Sequence, residues 1–339
     1  MTTRKDLLSS IEEDRGSSVI FYATSDRLGM EAQIDNDAFD HFVRHLDVIW
    51  SNDKSKITLI LHTAGGNTAA AWRIINLLRI FCDELEVIIP NRAHSAGTLI
   101  SLGCDKILMT KQATLGPIDP SLSGPLSPQV PGAPNQRVPV SVEAVQGYID
   151  LATQEMGIND PGALAQVLST LSQQVHPLVL GQIFRSRTQI RNLAEDLLIH
   201  NGVTPENKKK IVDFLCSESG SHDRTINRRE AVKLGLNVEN PSKKLYHLVN
   251  SLYEDLAVSM ELRSKFDQTL ILAGQPTASF ECQRSVIESV AIGSTALKTK
   301  GTVRVVQTQQ QIPNGGQVTL TGTEMQVSFE GWEDTVWNA

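Results

Sequence analysis

Residues 57–109 read ITLILHTAGGNTAAAWRIINLLRIFCDELEVIIPNRAHSAGTLISLGCDKILM, and this stretch decides the fold. Ile57–Leu61 is a continuous apolar run, the pattern of a strand buried on both faces. It ends in His62-Thr63-Ala64-Gly65-Gly66, and helical apolar spacing follows from Thr68 to Phe81. Leu85–Pro90 predicts a second strand, Asn91–Ser95 a turn, Ala96–Leu102 an Ala/Gly-rich helix and Lys106–Met109 a third strand. Alternation of this kind means right-handed crossovers and a parallel sheet. Working outward, Val19–Ala23 predicts an earlier strand, and Asp35–Trp50 a helix with Phe39, Phe42, Val43, Leu46, Ile49 and Trp50 on one face.

Toward the C-terminus, residues 121–140 carry five prolines among Ser, Gly and Gln, the composition of a long loop over a site. Val142–His200 reads as mostly helical. Thr204 caps a helix with Pro205 at its first position, Arg228–Leu234 is a short helix stopped by Gly235, and Lys243–Phe266 a longer one. After Ala273 the segments Val303–Thr308, Gln317–Thr321 and Met325–Phe329 alternate in the manner of strands joined by Gly-containing turns. The expected organisation is an α/β domain over residues 1–270 and a β-rich C-terminal extension over residues 271–339.

Composition narrows the function. A net charge of −7 argues against nucleic acid as a partner, and the short run Lys208-Lys209-Lys210 reads as a solvated helix face. The four cysteines are scattered without a C-x-x-C pair, as in a reducing cytoplasm, and the eight histidines lack zinc-helix spacing. Met1–Ser10 has no apolar signal region, and no apolar run approaches the roughly 18 residues that a membrane span needs. No phosphate loop of the Walker type is present, so any ATP dependence would come from a partner protein. Neither a metal nor a cofactor is expected.

Two glycine-containing turns follow consecutive strands, and in an open parallel sheet ligands bind beyond the carboxyl ends of strands. Gly65-Gly66 lets a backbone N–H approach a substrate. Ser95 stands at a strand-to-helix turn, where the Ala96 N–H would point at a developing oxyanion. Taken singly, a Gly-Gly is a tight turn and a Ser before Ala-Gly a helix cap. Together they spell a nucleophile and two donors.

The segments LILHTAGGNTAAA (59–71), AHSAGTLISLGCDKILM (93–109), TLGPIDPSL (114–122), HPLVLGQIFRS (176–186) and HDRTINRREAVKLGL (222–236) carry a resemblance. Together they resemble the Clp protease fold and, more closely, the serine dehydrogenase proteinase family of Clp-fold serine peptidases. The resemblance implies a Clp/crotonase-like spiral of β-β-α units, a peptide or protein substrate, assembly as a homo-oligomer, and a possible regulatory partner. It puts Ser95 on the nucleophile and Gly66 and Ala96 on the oxyanion-hole amides. Asp223 falls on the triad acid, through the spacing Asp223, Glu230, Ala231, Gly235, Leu236. Where Clp proteases keep the catalytic histidine this chain carries Asp119, and no histidine lies between Ser95 and His176.

A serine hydroxyl needs a base. His222 is the expected one, oriented by Asp119 or Asp223, so that His and Asp exchange loops; triads are recognised by geometry rather than order. His94 adjoins Ser95 but should diverge from it, His62 would line the site, and His176 would pack between helices. Lys111 would serve a Ser-Lys dyad. Two other classes compete with the hydrolase: a catalytically silent Clp-fold scaffold, and a crotonase-like acyl-CoA enzyme, which does not need a serine at position 95.

Overall fold

A computed structural model describes residues 3–50, 55–118, 121–122, 124–130, 132–218, 224–311 and 317–337. The chain opens with α1 (Arg4–Arg15) and β1 (Ser18–Thr24). Helix α2 (Phe39–Trp50) leads to β2 (Lys56–His62), and α3 (Thr68–Ile80) to β3 (Glu84–Ile89). A two-residue β4 (Arg92–Ala93) and α4 (Ala96–Leu102) precede β5 (Lys106–Met109). Short strands follow: β6 (Thr114–Leu115), β7 (Ser121–Leu122), β8 (Gln129–Val130), β9 (Ala133–Arg137) and β10 (Val140–Ser141). The helical arm is α5 (Val142–Asp150), α6 (Pro161–Gln174) and α7 (Pro177–Leu197). Then come α8 (Pro205–Asp213), β11 (Ile226–Asn227), α9 (Arg228–Leu234), β12 (Val238–Glu239), α10 (Lys243–Ser259) and α11 (Gln268–Leu272). Three long strands close the chain: β13 (Thr277–Ser289), β14 (Gly293–Gln311) and β15 (Gln317–Thr335).

The expected α/β class and parallel sheet are observed. One sheet runs in the order β12-β5-β3-β2-β1-β13-β14-β15, parallel from β12 to β1 and antiparallel from β13 onward. Strand alternation sorts the core into two faces. Leu59, Leu61, Val87 and Ile89 pack with α2, α3 and α4, while Ile60 and Ile88 pack with α1 and α10. Glu86 is buried on the second face and stays charged because Arg15 donates two bonds to it, at 2.7 and 2.6 Å, and Thr58 a third at 2.7 Å. Such pairing is what a buried carboxylate requires.

Three differences from the sequence reading have physical causes. The proline-rich 121–140 stretch holds short paired strands, because proline tolerates an edge position. Helix α10 stops at Ser259 rather than Phe266, and Glu261 takes a positive φ of 52° just beyond it. The tail, read as a small β unit, joins the main sheet: β13 pairs with β1 from Ile20↔Ser289 to Thr24↔Ser285, and its Val286 and Ile287 are fully buried. Strand alternation alone cannot say which edge a strand will find.

His45 ties α2 to this added β layer. It is fully buried, with Nδ1 2.8 Å from Ser289 Oγ and Nε2 3.1 Å from Thr295 Oγ1. Burial, helped by the neighbouring Arg44 charge, pushes its pKa down to about 4. The unfolded chain binds this proton near pH 6.5 and the folded chain does not, so stability should fall as pH drops from 6.5 through 4. The full effect is about 3 kcal/mol. Asp334, held at about 2 by its bond from Arg44, loses its contribution only below its unfolded value of 3.8. Thermal unfolding at pH 7 and pH 4.5 should therefore show a drop that His45→Gln largely removes. An unchanged drop in His45→Gln would assign it to other groups.

Candidate active site

Strands β2 and β3 both end at the carboxyl edge of the sheet, and the two turns beyond them meet. Thr63 N donates to Arg92 O at 3.0 Å, and His94 N to Thr63 O at 3.1 Å. A Cβ on Gly65 would lie 2.8 Å from Ser95 Cβ and 3.0 Å from His94 O, and one on Gly97 would lie 2.4 Å from Thr63 Cγ2. Only glycine lets α4 and the first turn approach this closely.

Ser95 has φ 51° and ψ −113°. For a residue with a Cβ this is a strained conformation, costing on the order of 1–3 kcal/mol. It stands at the N-cap position of α4, yet its hydroxyl makes no capping bond. The bland reading of a serine before Ala-Gly as a cap therefore fails. Among the described residues no protein atom hydrogen-bonds Ser95 Oγ, and the side chain is half-buried at the surface of the site.

Two backbone donors flank it. Gly66 takes φ 149°, and a Cβ there would lie 2.4 Å from Ile34 O. Ile34 holds the turn from behind: Ile34 N donates to Gly65 O at 2.9 Å, and Asn67 N to Ile34 O at 2.8 Å. The N–H of Gly66 between them, and that of Ala96 at the first position of α4, meet no acceptor among the described residues. A helix leaves its first N–H groups unpaired by construction. Thr63 shapes the turn from within; its buried Oγ1 accepts from Gly65 N at 3.0 Å and lies 2.7 Å from Thr24 Oγ1.

Asp119, His222 and Asp223 lie outside the described residues. The segments leading to them are anchored beside the Ser95 turn. Thr98 Oγ1 lies 2.8 Å from both Ala93 O and Gly116 O, which share its one proton, and accepts from Gly116 N at 3.1 Å. Ile118 N donates to Leu215 O at 2.9 Å, in the helical turn Phe214–Glu218 after α8. Beyond residue 223 the chain returns in β11, where Ile226 pairs with Leu115 of β6. Strand β6 in turn pairs with β4, immediately before Ser95.

The other titratable candidates have different partners. His94 Nε2 lies 2.9 Å from Thr114 Oγ1, with Gly116 against its ring. His62 does not line the site. It is fully buried at the end of β2 on the α10 side, 5.0 Å from the Tyr253 ring and 3.6 Å from Asp26 Oδ2. Burial would raise the Asp26 carboxyl, but His62 and Arg92 outweigh it and hold it below the usual range. His176 is exposed and caps α7, its Nδ1 accepting from Leu178 N at 3.2 Å, so it does not pack between helices. The Lys111 ammonium sits over the Tyr246 ring of α10, on the opposite face of the sheet from α4.

Sequence reasoning missed Ile34 and Thr63, whose roles depend on contacts between distant segments. Asn67 was legible in principle, since Asn before an apolar helical run is a capping signal; its Oδ1 accepts from Ala69 N and Ala70 N. Gly66→Ala should test the turn. Ile34 is backbone and cannot yield, so the Gly66 N–H must move. Loss of one oxyanion donor typically costs on the order of 10²–10³ in kcat. Wild-type turnover in a folded Gly66→Ala variant would remove Gly66 from the site.

Residues 1–143 match the family model described as ClpP-like SDH-type serine proteinase. Two uncharacterized proteins of Methanocaldococcus jannaschii are similar: one is 30% identical over 194 residues, the other 26% over 196. Each alignment covers 57% of this chain, and 57% and 56% of the respective relative, so the match spans little more than half the length of these proteins. Among solved structures, the 1510-N membrane-bound stomatin-specific protease aligns with TM-score 0.41 and 16% identity, over 72% of this chain and 85% of that one. ClpP1 from Listeria monocytogenes aligns with TM-score 0.38 and 14% identity, over 70% and 99%. The family expected from the motifs is the one matched. Among the described residues no helix is long and apolar enough to cross a membrane.

Proposed function

We propose, from the match of residues 1–143 to ClpP-like SDH-type serine proteinases, that this chain is a serine peptidase-type hydrolase acting through an acyl-enzyme on Ser95. The observation that carries this reading is the Ser95 backbone: a non-glycine residue at φ 51°, its hydroxyl unbonded among the described residues, between two unpaired N–H groups. A protein serving only as a scaffold has no use for that strain, and a crotonase-like acyl-CoA enzyme has no need of the hydroxyl. Strain of this kind presents a nucleophile clear of its own backbone.

In this mechanism His222 takes the Ser95 Oγ proton as Oγ bonds to the carbonyl carbon of a peptide or related acyl group. The oxygen becomes an oxyanion held by the Gly66 and Ala96 N–H groups. The intermediate collapses by breaking the carbonyl–nitrogen bond, and His222 returns the proton to the leaving amine. Water, activated by the same base, then releases the acid and restores Ser95. Asp119 orients His222, and Asp223 is the alternative acid. The experiment is covalent labelling of the full chain with a fluorophosphonate, with Ser95 identified by peptide mapping; no label on Ser95 in the folded protein rejects the reading.

The chain is further proposed to act as a homo-oligomer in a reducing, cytoplasmic compartment. Helix α6 buries no side chain, and Leu168, Leu178 and Phe184 of the helical arm are exposed, an apolar surface that asks for a second copy. The expected result is a multimeric mass by light scattering at micromolar concentration, and Phe184→Asp should reduce it. A monomer would count against the arm as an interface.

A further inference from the structure

The last two strands outrun the sheet that carries them. Strand β13 pairs with β14 only as far as Thr277↔Arg304. Beyond it Val305 N still donates to Pro276 O at 2.9 Å; thereafter, among the described residues, Val306–Gln311 of β14 and Gln317–Gly322 of β15 pair only with each other, from Val306↔Gly322 to Gln311↔Gln317. Strand β15 ends the sheet order, so its outer edge meets no strand among the described residues. A two-stranded ribbon is marginal by itself in water.

This ribbon lacks the usual protection of an edge, which is a lysine, a proline or a bulge. Residues 305–311 read VVQTQQQ and residues 317–323 QVTLTGT, without one charge. Cross-strand partners place Val306, Thr308, Val318 and Leu320 on one face, and Leu320 is 50% exposed and Val318 42%. The acids farther along β15 are already paired within the chain: Glu324 with Arg304, Glu330 with Arg284, Glu333 with Lys300 and Asp334 with Arg44. What this edge offers a partner is an uncharged backbone ladder and aliphatic side chains.

We propose that the outer edge of β15 pairs antiparallel with β15 of a second copy of this chain, about a two-fold axis through Leu320. Residues directly opposite in such a ladder share a face. The axis puts Leu320 opposite its own copy, Thr319 opposite Thr321, Val318 opposite Gly322 and residue 317 opposite residue 323. Thr–Thr pairs across a ladder are favourable, and a β-branched side chain fills the space beside a glycine. The same face then brings together Val306, Val318 and Leu320 of both copies. Moving the axis to Gly322 would set Glu324 against Leu320, and moving it to Glu324 would set that carboxylate against itself. The axis at Leu320 keeps every charge out of the shared ladder, and the contact is isologous, as a two-fold requires. This interface lies outside the helical arm and is independent of the reading of Ser95.

The test uses the full chain in two forms. Leu320→Cys, treated with a short bis-maleimide, should give a covalent dimer absent from the wild type, whose own cysteines control for background. Thr308→Cys should not, because it lies one strand inward and about 14 Å from its copy at a strand spacing of about 4.8 Å. Thr319→Lys combined with Thr321→Lys places like charges opposite one another. It should lower the mass by light scattering to about half the wild-type value while fluorophosphonate labelling persists. Because the contact is uncharged, 0.5 M NaCl should leave the wild-type mass unchanged. Unchanged mass in the double-lysine variant, or no cross-link through position 320, would overturn the proposal. Hydrogen-exchange protection of β15 that arises only on adding a peptide would overturn it equally, by making the edge a peptide dock.

Discussion

Replacing Ser95 with alanine is expected to abolish fluorophosphonate labelling and to lower hydrolysis by on the order of 10⁶, the scale on which a triad nucleophile acts. The fold should persist, because Ser95 Oγ bonds no described residue and alanine suffers the same strain at φ 51°. That strain supplies a second readout. Ser95→Gly should be as inactive as Ser95→Ala but more stable. Glycine relieves on the order of 1–3 kcal/mol of backbone strain, against about 0.5–1 kcal/mol of added unfolded-state entropy. Thermal unfolding of the two variants side by side reads this difference. A more stable, inactive Ser95→Gly would mark the strain as maintained for chemistry. Labelling that survives in Ser95→Ala would move the nucleophile elsewhere.

The second large effect concerns the base and its acid. His222→Ala should cost on the order of 10²–10⁴ in turnover, as does loss of any positioned general base. Asp119→Asn should cost a comparable factor by leaving the wrong tautomer. The double variant should be little worse than either, because the members of a triad act as a unit. Asp223→Asn discriminates: a large loss there, with Asp119→Asn near normal, would make Asp223 the orienting acid. Lys111→Ala should leave turnover near wild type, since its ammonium is engaged with Tyr246 on the far side of the sheet. Full activity in His222→Ala would sink the assignment and return attention to lysine.

Much of this protein was legible in its sequence because the signals are local. The apolar run at Ile57–Leu61 has the pattern of a strand buried on both faces, and β2 covers it. Helix 96–102, helix 228–234 and the strand at 106–109 fall at the expected bounds, and for 228–234 the Asn227 cap and the left-handed Gly235 set them, because a cap is decided within one turn of chain. The pairing of Gly65-Gly66 with Ser95 was legible too, since strands of a parallel sheet deliver their following loops to one edge.

Other features were decided by partners far away in the chain, and no window of sequence contains both members. From their places beside the two turns, His62 was expected to line the site and His94 to diverge from it. Strand alternation turned the first toward Tyr253, and the pairing of β4 with β6 turned the second toward Thr114. Ile34 became the wall behind the oxyanion turn through a bridge to Gly66 that neither local pattern encodes. The tail could be read as strands but not as the continuation of the sheet through β1, because alternation fixes which residues share a face and leaves the neighbouring strand open. Most of all, the strain at Ser95 is tertiary. Ala-His-Ser-Ala-Gly by itself would relax to an ordinary cap. Gly65 pressed against its Cβ, Thr63 against Gly97, and Thr98 tied to Gly116 hold that one residue where its own backbone would not go.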